Sequence, residues 1–173
     1  MMRCTGMWDV SCAGHLSAGE SSVQAALAEI NEELGIDNAQ VVNQNNIMDA
    51  GQIIGYIRNN LLTTDNQTSL YHLCRIPRTQ ISGGGQFIDR EHTDIYCGFI
   101  DYTIDQYKLQ ADEVDAVQYI DIDEFIAIQQ SVDRCNQLSY VPINEFNKYY
   151  QHAFSIIKLL QQYITATNDS KTN

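Results

Sequence analysis

The stretch GHLSAGESSVQAALAEINEELGI, Gly14–Ile36, decides how this chain is read. It carries four glutamates, Glu20, Glu29, Glu32 and Glu33. Residues 20–35 have the marks of a helix: Ser21 and Ser22 as polar starters, an Ala-rich middle, and Gly35 at a C-terminal stop position. Val23, Leu27, Ile30 and Leu34 recur at three- and four-residue steps and make an apolar stripe. With about 100° of turn per residue, Glu29, Glu32 and Glu33 gather on roughly the opposite side. Like charges at that spacing destabilise a helix by roughly 0.2–0.5 kcal/mol per pair. The helix contains no Lys or Arg to offset them. A solvated acidic face would tolerate the cluster, but a bound cation explains it better. Hard divalent ions take oxygen ligands and commonly use carboxylates together with substrate phosphates.

Composition bounds the rest of the reading. The chain has 173 residues, enough for one domain with a real core. Its net charge is −12, from 10 Lys and Arg against 22 Asp and Glu. Nucleic acid and anionic membrane are excluded as partners, because both need a basic surface. An acidic chain that handles an anionic diphosphate needs metal ions to bridge the two, which agrees with the glutamate cluster. The five cysteines, Cys4, Cys12, Cys74, Cys97 and Cys135, include no close metal-type pair. They read as reduced thiols in a cytoplasmic protein. The start, MMRCTGMWDVS, has no apolar segment of the secretory kind, and no run approaches the length of a membrane span.

Outward from Gly14–Ile36 the pattern is mixed α/β. QIIGYIRNNLL (52–62) suits a helix or a strand. SLYHLCRI (69–76), DIYCGFIDY (94–102) and DAVQYIDI (115–122) read as strands. SGGGQ (82–86) is a turn between the first two. DIDEFIAIQQSV starts a helix with Asp121 or Asp123 as its N-cap. The last helix covers about 144–164, with Phe146, Tyr150, Phe154, Ile157 and Leu160 at helical steps. The polar tail, 165–173, reads as frayed. With no repeat and no linker, residues 1–173 read as one domain.

The opening stretch resembles the signature of the Nudix hydrolases, G-x5-E-x7-R-E-U-x-E-E-x-G-U, where U is a bulky aliphatic residue. Gly14, Glu20, Glu29, Ile30, Glu32, Glu33, Gly35 and Ile36 fill eight of its nine fixed positions, and Ala28 stands at the arginine. The likeness extends outside this box, residues 14–36. WDVSCAGHLSAGE, FIDREHTDIYCGFID (87–101), LQADEVDAVQYIDIDEF (109–125) and YVPINEFNKYYQHAFSII (140–157) look like segments of Nudix proteins related to isopentenyl-diphosphate isomerase. The resemblance implies an α/β/α sandwich around a mixed β-sheet, with the box as a loop–helix–loop at a metal site. It implies Mg²⁺ or Mn²⁺ as cofactor and a small-molecule diphosphate as substrate, a nucleoside diphosphate derivative or a prenyl diphosphate. Carried over, Glu29, Glu32 and Glu33 are the ligand and general-base set, and the Gly14 carbonyl is a further ligand. Glu20 orients the helix. Glu91 and Glu113 sit where related proteins place an additional carboxylate, and His15 matches the isomerase pattern.

Two departures from the family pattern keep a second reading open, a degenerate Nudix-fold protein that binds without hydrolysing. One is Ala28, since the arginine of the family pairs with box carboxylates. The other is the start of the chain. The 13 residues before Gly14 are too few for the strands that usually precede the box. The chain is therefore expected to be a shortened form of a longer protein, or to gain the missing sheet edge from a partner subunit, as in a homodimer. Isomerase activity is disfavoured: the isomerases place a cysteine directly before the Gly-His pair, where this chain has Ala13. Cys12 lies one position early, and on a strand that offset would turn its side chain to the other face.

Overall fold

The computed structural model describes residues 6–42, 50–60, 67–82, 86–100, 102–141 and 151–169. Cys4, Gly83–Gly85 of the expected turn, Phe146 and Tyr150 of the expected last helix, and residues 170–173 of the tail lie outside them. In chain order the elements are α1 (Ser22–Leu34), β1 (Ala39–Val41), α2 (Ala50–Asn60), β2 (Thr68–Ser82), β3 (Phe87–Gly98), a 3-10 turn (Ile104–Gln106), α3 (Ile122–Gln129), α4 (Val132–Gln137) and α5 (Gln151–Asp169). The strands form a mixed sheet in the order β1-β2-β3. β1 runs parallel to the start of β2, with Ala39 opposite Thr68 and Val41 opposite Leu70. Four residues separate β2 from β3, a connection long enough only for an antiparallel return. The α/β character matches the expectation from sequence.

α1 begins and ends through backbone chemistry that its sequence supplies. The Ser21 hydroxyl accepts the Gln24 N–H at 3.3 Å, and the Gln24 side chain accepts the Ser21 N–H at 3.0 Å. This reciprocal cap satisfies two of the amide donors that a helix start leaves open. The helix stops at Gly35, whose φ of 71° lies in the left-handed region. A second constraint acts at the same residue: a Cβ on Gly35 would come within 2.9 Å of the Lys108 carbonyl oxygen. That close approach has a use. The Lys108 N–H bonds to the Leu34 carbonyl at 3.1 Å, and the Gln110 N–H to the Glu33 carbonyl at 3.3 Å. Two carbonyls that a helix end leaves open are thus met by one docked segment.

The chain packs as two compact units. The first comprises the residues up to Val41, Gln67–Leu70, and the run that begins at Gly98. Here α1 lies on β1, and Ala25, Ile30, Leu34, Ile36 and Val41 are buried. Val23 and Leu27, expected in the apolar stripe, are half-buried. Ile128, Cys135 and Tyr140 form a further core, with Trp8, Ile120 and Phe125 packed against it. Trp8 is tied there by its backbone: its N–H bonds to the Ser139 carbonyl at 2.7 Å, and its carbonyl accepts the Val141 N–H at 2.8 Å. The second unit holds Tyr71–Cys97 with α2 and α5. α2 packs on α5, and Ile53, Tyr71, Leu73, Ile76, Ala153, Ile156 and Leu160 are buried. Residues 52–60 are thus helical, with Ile53 and Tyr56 three positions apart and Tyr56 edge-on to Tyr71 at 5.9 Å. Asp94 of β3 receives two bonds from the Arg75 guanidinium, at 2.9 and 2.6 Å, and lies 2.7 Å from His72. Burial pushes the Asp94 carboxyl up, but the bonds and charges of Arg75 and His72 outweigh it and hold the group below its ordinary value.

Two expected strands differ in the structure. The one read over 94–102 ends at Gly98, beside Leu70 and Ser69 near the first residues of β2. The one read over 115–122 is irregular backbone as far as Asp121, and Ile122 already opens α3. Its alternating side chains bond elsewhere: the Gln118 amide donates to the Tyr140 hydroxyl at 2.8 Å, and the Tyr119 hydroxyl donates to the Tyr102 carbonyl. Asp121 then caps α3, accepting from Asp123 and Glu124 at 2.9 and 3.1 Å. Among the described residues no helix is long and apolar enough to cross a membrane.

Gly35 carries the sharpest prediction of this fold. A side chain there meets both an unfavourable φ and the Lys108 backbone. Gly35→Ala is expected to destabilise the protein by about 1–3 kcal/mol in denaturant unfolding. Unchanged stability would show that the docked segment does not constrain the helix end.

Candidate active site

The glutamates of α1 are placed by the helix and enclosed by the loops on either side of it. Glu29 and Glu33 stand one turn apart and are half-buried; Glu32 is exposed. Gly14, at the start of the preceding loop, sits so close to Glu29 that a Cβ built on it would overlap the Glu29 carboxylate. A side chain at Gly14 would therefore have to displace the Glu29 carboxylate, although no positive φ is involved. The loop is fastened at its far end by Glu20, whose carboxylate accepts the Ser17 N–H at 2.9 Å while its own N–H bonds to the Ser17 carbonyl at 3.0 Å.

The electrostatics of this cluster are one-sided. Burial raises the Glu33 carboxyl to about 7, and the charges of Glu29, Glu113 and Asp9 add to the shift. The Ala13 N–H, which bonds to the Glu33 carboxylate, works against it. Glu29 is raised as well, first by burial and then by Glu32, Glu113 and Glu20, with His15 opposing. Each carboxylate thus makes its neighbours harder to ionise, the behaviour of like charges that share a site without a counter-ion.

Of the residues singled out in the sequence, Glu20, Glu29, Glu32, Glu33, Glu113 and His15 act on one another here. Glu113 arrives by the segment that caps α1: its N–H bonds to the Gln110 carbonyl at 3.0 Å, one turn beyond the Gln110–Glu33 bond. Glu91 lies on β3, in the other unit. Asp9 and the Ala13 N–H were missed as contributors, because neither lies within the box, residues 14–36. Cys12 requires a correction. Its segment is not a strand, so alternation does not turn it away. Its thiol is pushed up to about 12, by burial first and then by Glu33 and Glu29. A thiol so poorly ionised is no nucleophile at neutral pH.

The donors are all hard oxygens, the set that suits Mg²⁺, Mn²⁺ or Ca²⁺ over softer metals. Among the described residues no group of three or more His, Cys, Asp or Glu side chains is already drawn into ligand geometry. The carboxylates fit a divalent cation by their chemistry and mutual charge.

Over 155 residues, 88% of its length, the chain is 30% identical to "Nudix hydrolase 3" of Arabidopsis thaliana. Over 118 residues, 68% of its length, it is 34% identical to an uncharacterized Nudix hydrolase of Clostridium acetobutylicum. These matches take in 16% of the plant protein and 43% of the bacterial one, so the chain spans less than half of either curated relative. No protein-family profile matches the chain. No solved structure matches it.

The raised Glu33 carboxyl gives a pH dependence of definite sign. Its folded value, about 7, lies above the ordinary 4.5. The metal-free fold therefore holds an extra proton between those values and loses stability as pH rises through that window. A carbon-13 NMR titration of the metal-free protein should place the Glu33 midpoint near 7, and Glu29→Gln should lower it. A midpoint at the ordinary carboxylate value would refute the crowding.

Proposed function

The two relatives support placing this chain among the Nudix hydrolases, and from that premise we propose that it hydrolyses a diphosphate linked to another moiety, at the carboxylate cluster of α1. The observation that carries the reading is the crowding of Glu29, Glu33 and Glu113, in which no Lys or Arg is among the groups that shift Glu29 or Glu33. Such a set is electrostatically incomplete until a cation joins it. Mg²⁺ or Mn²⁺ would supply that charge and polarise the phosphoryl oxygens of the substrate.

The chain's own groups divide the remaining work. Glu29, Glu32 and Glu33 would hold the cation, with the Gly14 carbonyl as a further ligand. One of these three carboxylates takes the proton from the water that attacks phosphorus. Glu113 adds its charge to the same place, and Glu91 is the further carboxylate that the family pattern suggests. Glu20 keeps the Gly14–Gly19 loop folded by accepting from Ser17. That bond bears on Ala28. In the family an arginine steadies the box carboxylates; here Glu20 is steadied from its own loop. The substrates proposed are nucleoside diphosphate derivatives or prenyl diphosphates, handled by one domain over residues 1–173, with nucleic acid and membrane not among its partners and homodimerisation open to test. Cys12, Cys74 and Cys135 are thiols rather than disulfides, in keeping with a cytoplasmic setting.

The position of Ala28 also favours a second reading, a Nudix-fold protein that binds a diphosphate without turning it over. One assay separates the two. Phosphate release should be measured on nucleoside diphosphate derivatives, dinucleoside polyphosphates and prenyl diphosphates, with Mg²⁺ or Mn²⁺ and after EDTA. Turnover that requires the metal and stops with EDTA is the expected outcome. Glu33→Gln and Glu32→Gln should each lower kcat by about tenfold or more, the scale of a lost proton-transfer or metal-holding group. Undiminished turnover in both variants, or full activity without metal, would overturn the assignment. Diphosphate binding with no turnover would favour the second reading.

A further inference from the structure

The loop that enters the carboxylate cluster has little packing of its own. Asp9, Val10 and Ser11 are exposed, and so is every residue from Ala13 to Gly19. A run of this kind takes its position from the points where its ends are fastened. Downstream, that point is the Ser17–Glu20 pair. Upstream, it is Trp8.

Trp8 is fastened by both its ring and its backbone. The side chain packs against the core of Ile128, Cys135 and Tyr140. The backbone forms a parallel bridge with Tyr140, donating to the Ser139 carbonyl and accepting from the Val141 N–H. The strip that receives it is braced in turn. The Tyr140 N–H bonds to the Cys135 carbonyl at 2.8 Å, and the Gln129 amide donates to the Val141 carbonyl at 3.0 Å. Ser139 has a φ of 58°, in the left-handed region that serine enters at a cost. Such a conformation persists only where its neighbours over-determine it.

From Trp8 the chain takes five steps to Ala13. Five steps reach at most about 18 Å, so the bridge limits where Ala13 can stand. There the Ala13 N–H bonds to the Glu33 carboxylate, and the next residue, Gly14, lies against the carboxylate of Glu29. Resting on the reading of this cluster as a metal site, we propose that Trp8 is its positioning residue. It holds the short tether Asp9–Cys12 so that the Ala13 N–H orients Glu33 and Gly14 abuts Glu29. A carboxylate ligand that accepts a bond from outside the metal is kept in one orientation, and loss of such support weakens metal binding by about 10–100-fold.

Two variants, each read in two ways, test this. Trp8→Ala removes the packed ring. A Gly-Gly insertion between Val10 and Ser11 leaves Trp8 in its core and adds up to about 7 Å of reach. In the metal-free protein, hydrogen exchange of the Ala13 amide, followed by NMR, should quicken by about tenfold or more in both variants. The amides of Tyr71 and Leu73, in the other unit, should keep their rates. Mn²⁺ affinity, measured by calorimetry, should fall by about tenfold or more. Trp8→Phe, which returns a ring to the core, should restore most of both. Unchanged Ala13 exchange in the insertion variant overturns the tether. Faster exchange with undiminished Mn²⁺ affinity overturns the positioning role. A wild-type chain that binds no Mn²⁺ overturns the metal reading, while the exchange rates decide the tether by themselves.

Discussion

The end of α1 is the constraint on which the candidate site depends. A helix terminus leaves carbonyls without partners, and here the Lys108 and Gln110 N–H groups meet those of Leu34 and Glu33. The approach is close enough to exclude a side chain at Gly35. One backbone docking event therefore fixes the distance between two parts of the chain more than seventy residues apart in sequence. Glu113 comes with the docked segment and adds its charge to Glu29 and Glu33. At the other end of the helix the Ser21–Gln24 cap and the Glu20–Ser17 bond fix the loop that starts at Gly14.

Much of this was legible in the sequence because it is local. Serine at a helix start, glycine at a stop and glutamates at helical steps act within one turn of their own position, and the structure has Ser21, Gly35 and the α1 carboxylates in those places. Asp121 as a cap is legible for the same reason. What failed depends on partners distant in the chain. DAVQYIDI has the alternation of a strand, but a strand exists only where a neighbour offers a ladder. Residues 115–122 find side-chain partners in Tyr102 and Tyr140 instead. β1 is only three residues long and exists because Thr68–Leu70 lies beside it. Cys12 was misplaced by applying the strand period to irregular backbone. Asp9 and Ala13 lie outside the box, and their effect on Glu33 emerges only when the loop folds over α1.

The charge of the whole chain and the chemistry of the cluster point the same way. A molecule with a net charge of −12 that concentrates carboxylates against one another raises the cost of ionising each. Ordinary surface acids relieve such strain by spreading into water. Here the helix spacing and the burial of Glu33 oppose it. On the proposed reading, a divalent cation would remove the repulsion and turn a destabilising arrangement into a binding site. Stability of the metal-free fold and function are then opposed at these residues, a common feature of sites kept for chemistry.

The most direct test of that account is paramagnetic. Mn²⁺ added at substoichiometric amounts broadens the NMR resonances of nuclei close to where it binds. The account predicts that Gly14, Glu29 and Glu33 are lost first, with Glu113 close behind, and that excess Mg²⁺ restores them. Broadening spread evenly over the acidic surface, or centred on other acids such as Asp121–Glu124, would contradict the claim that the crowded carboxylates of α1 are a metal site.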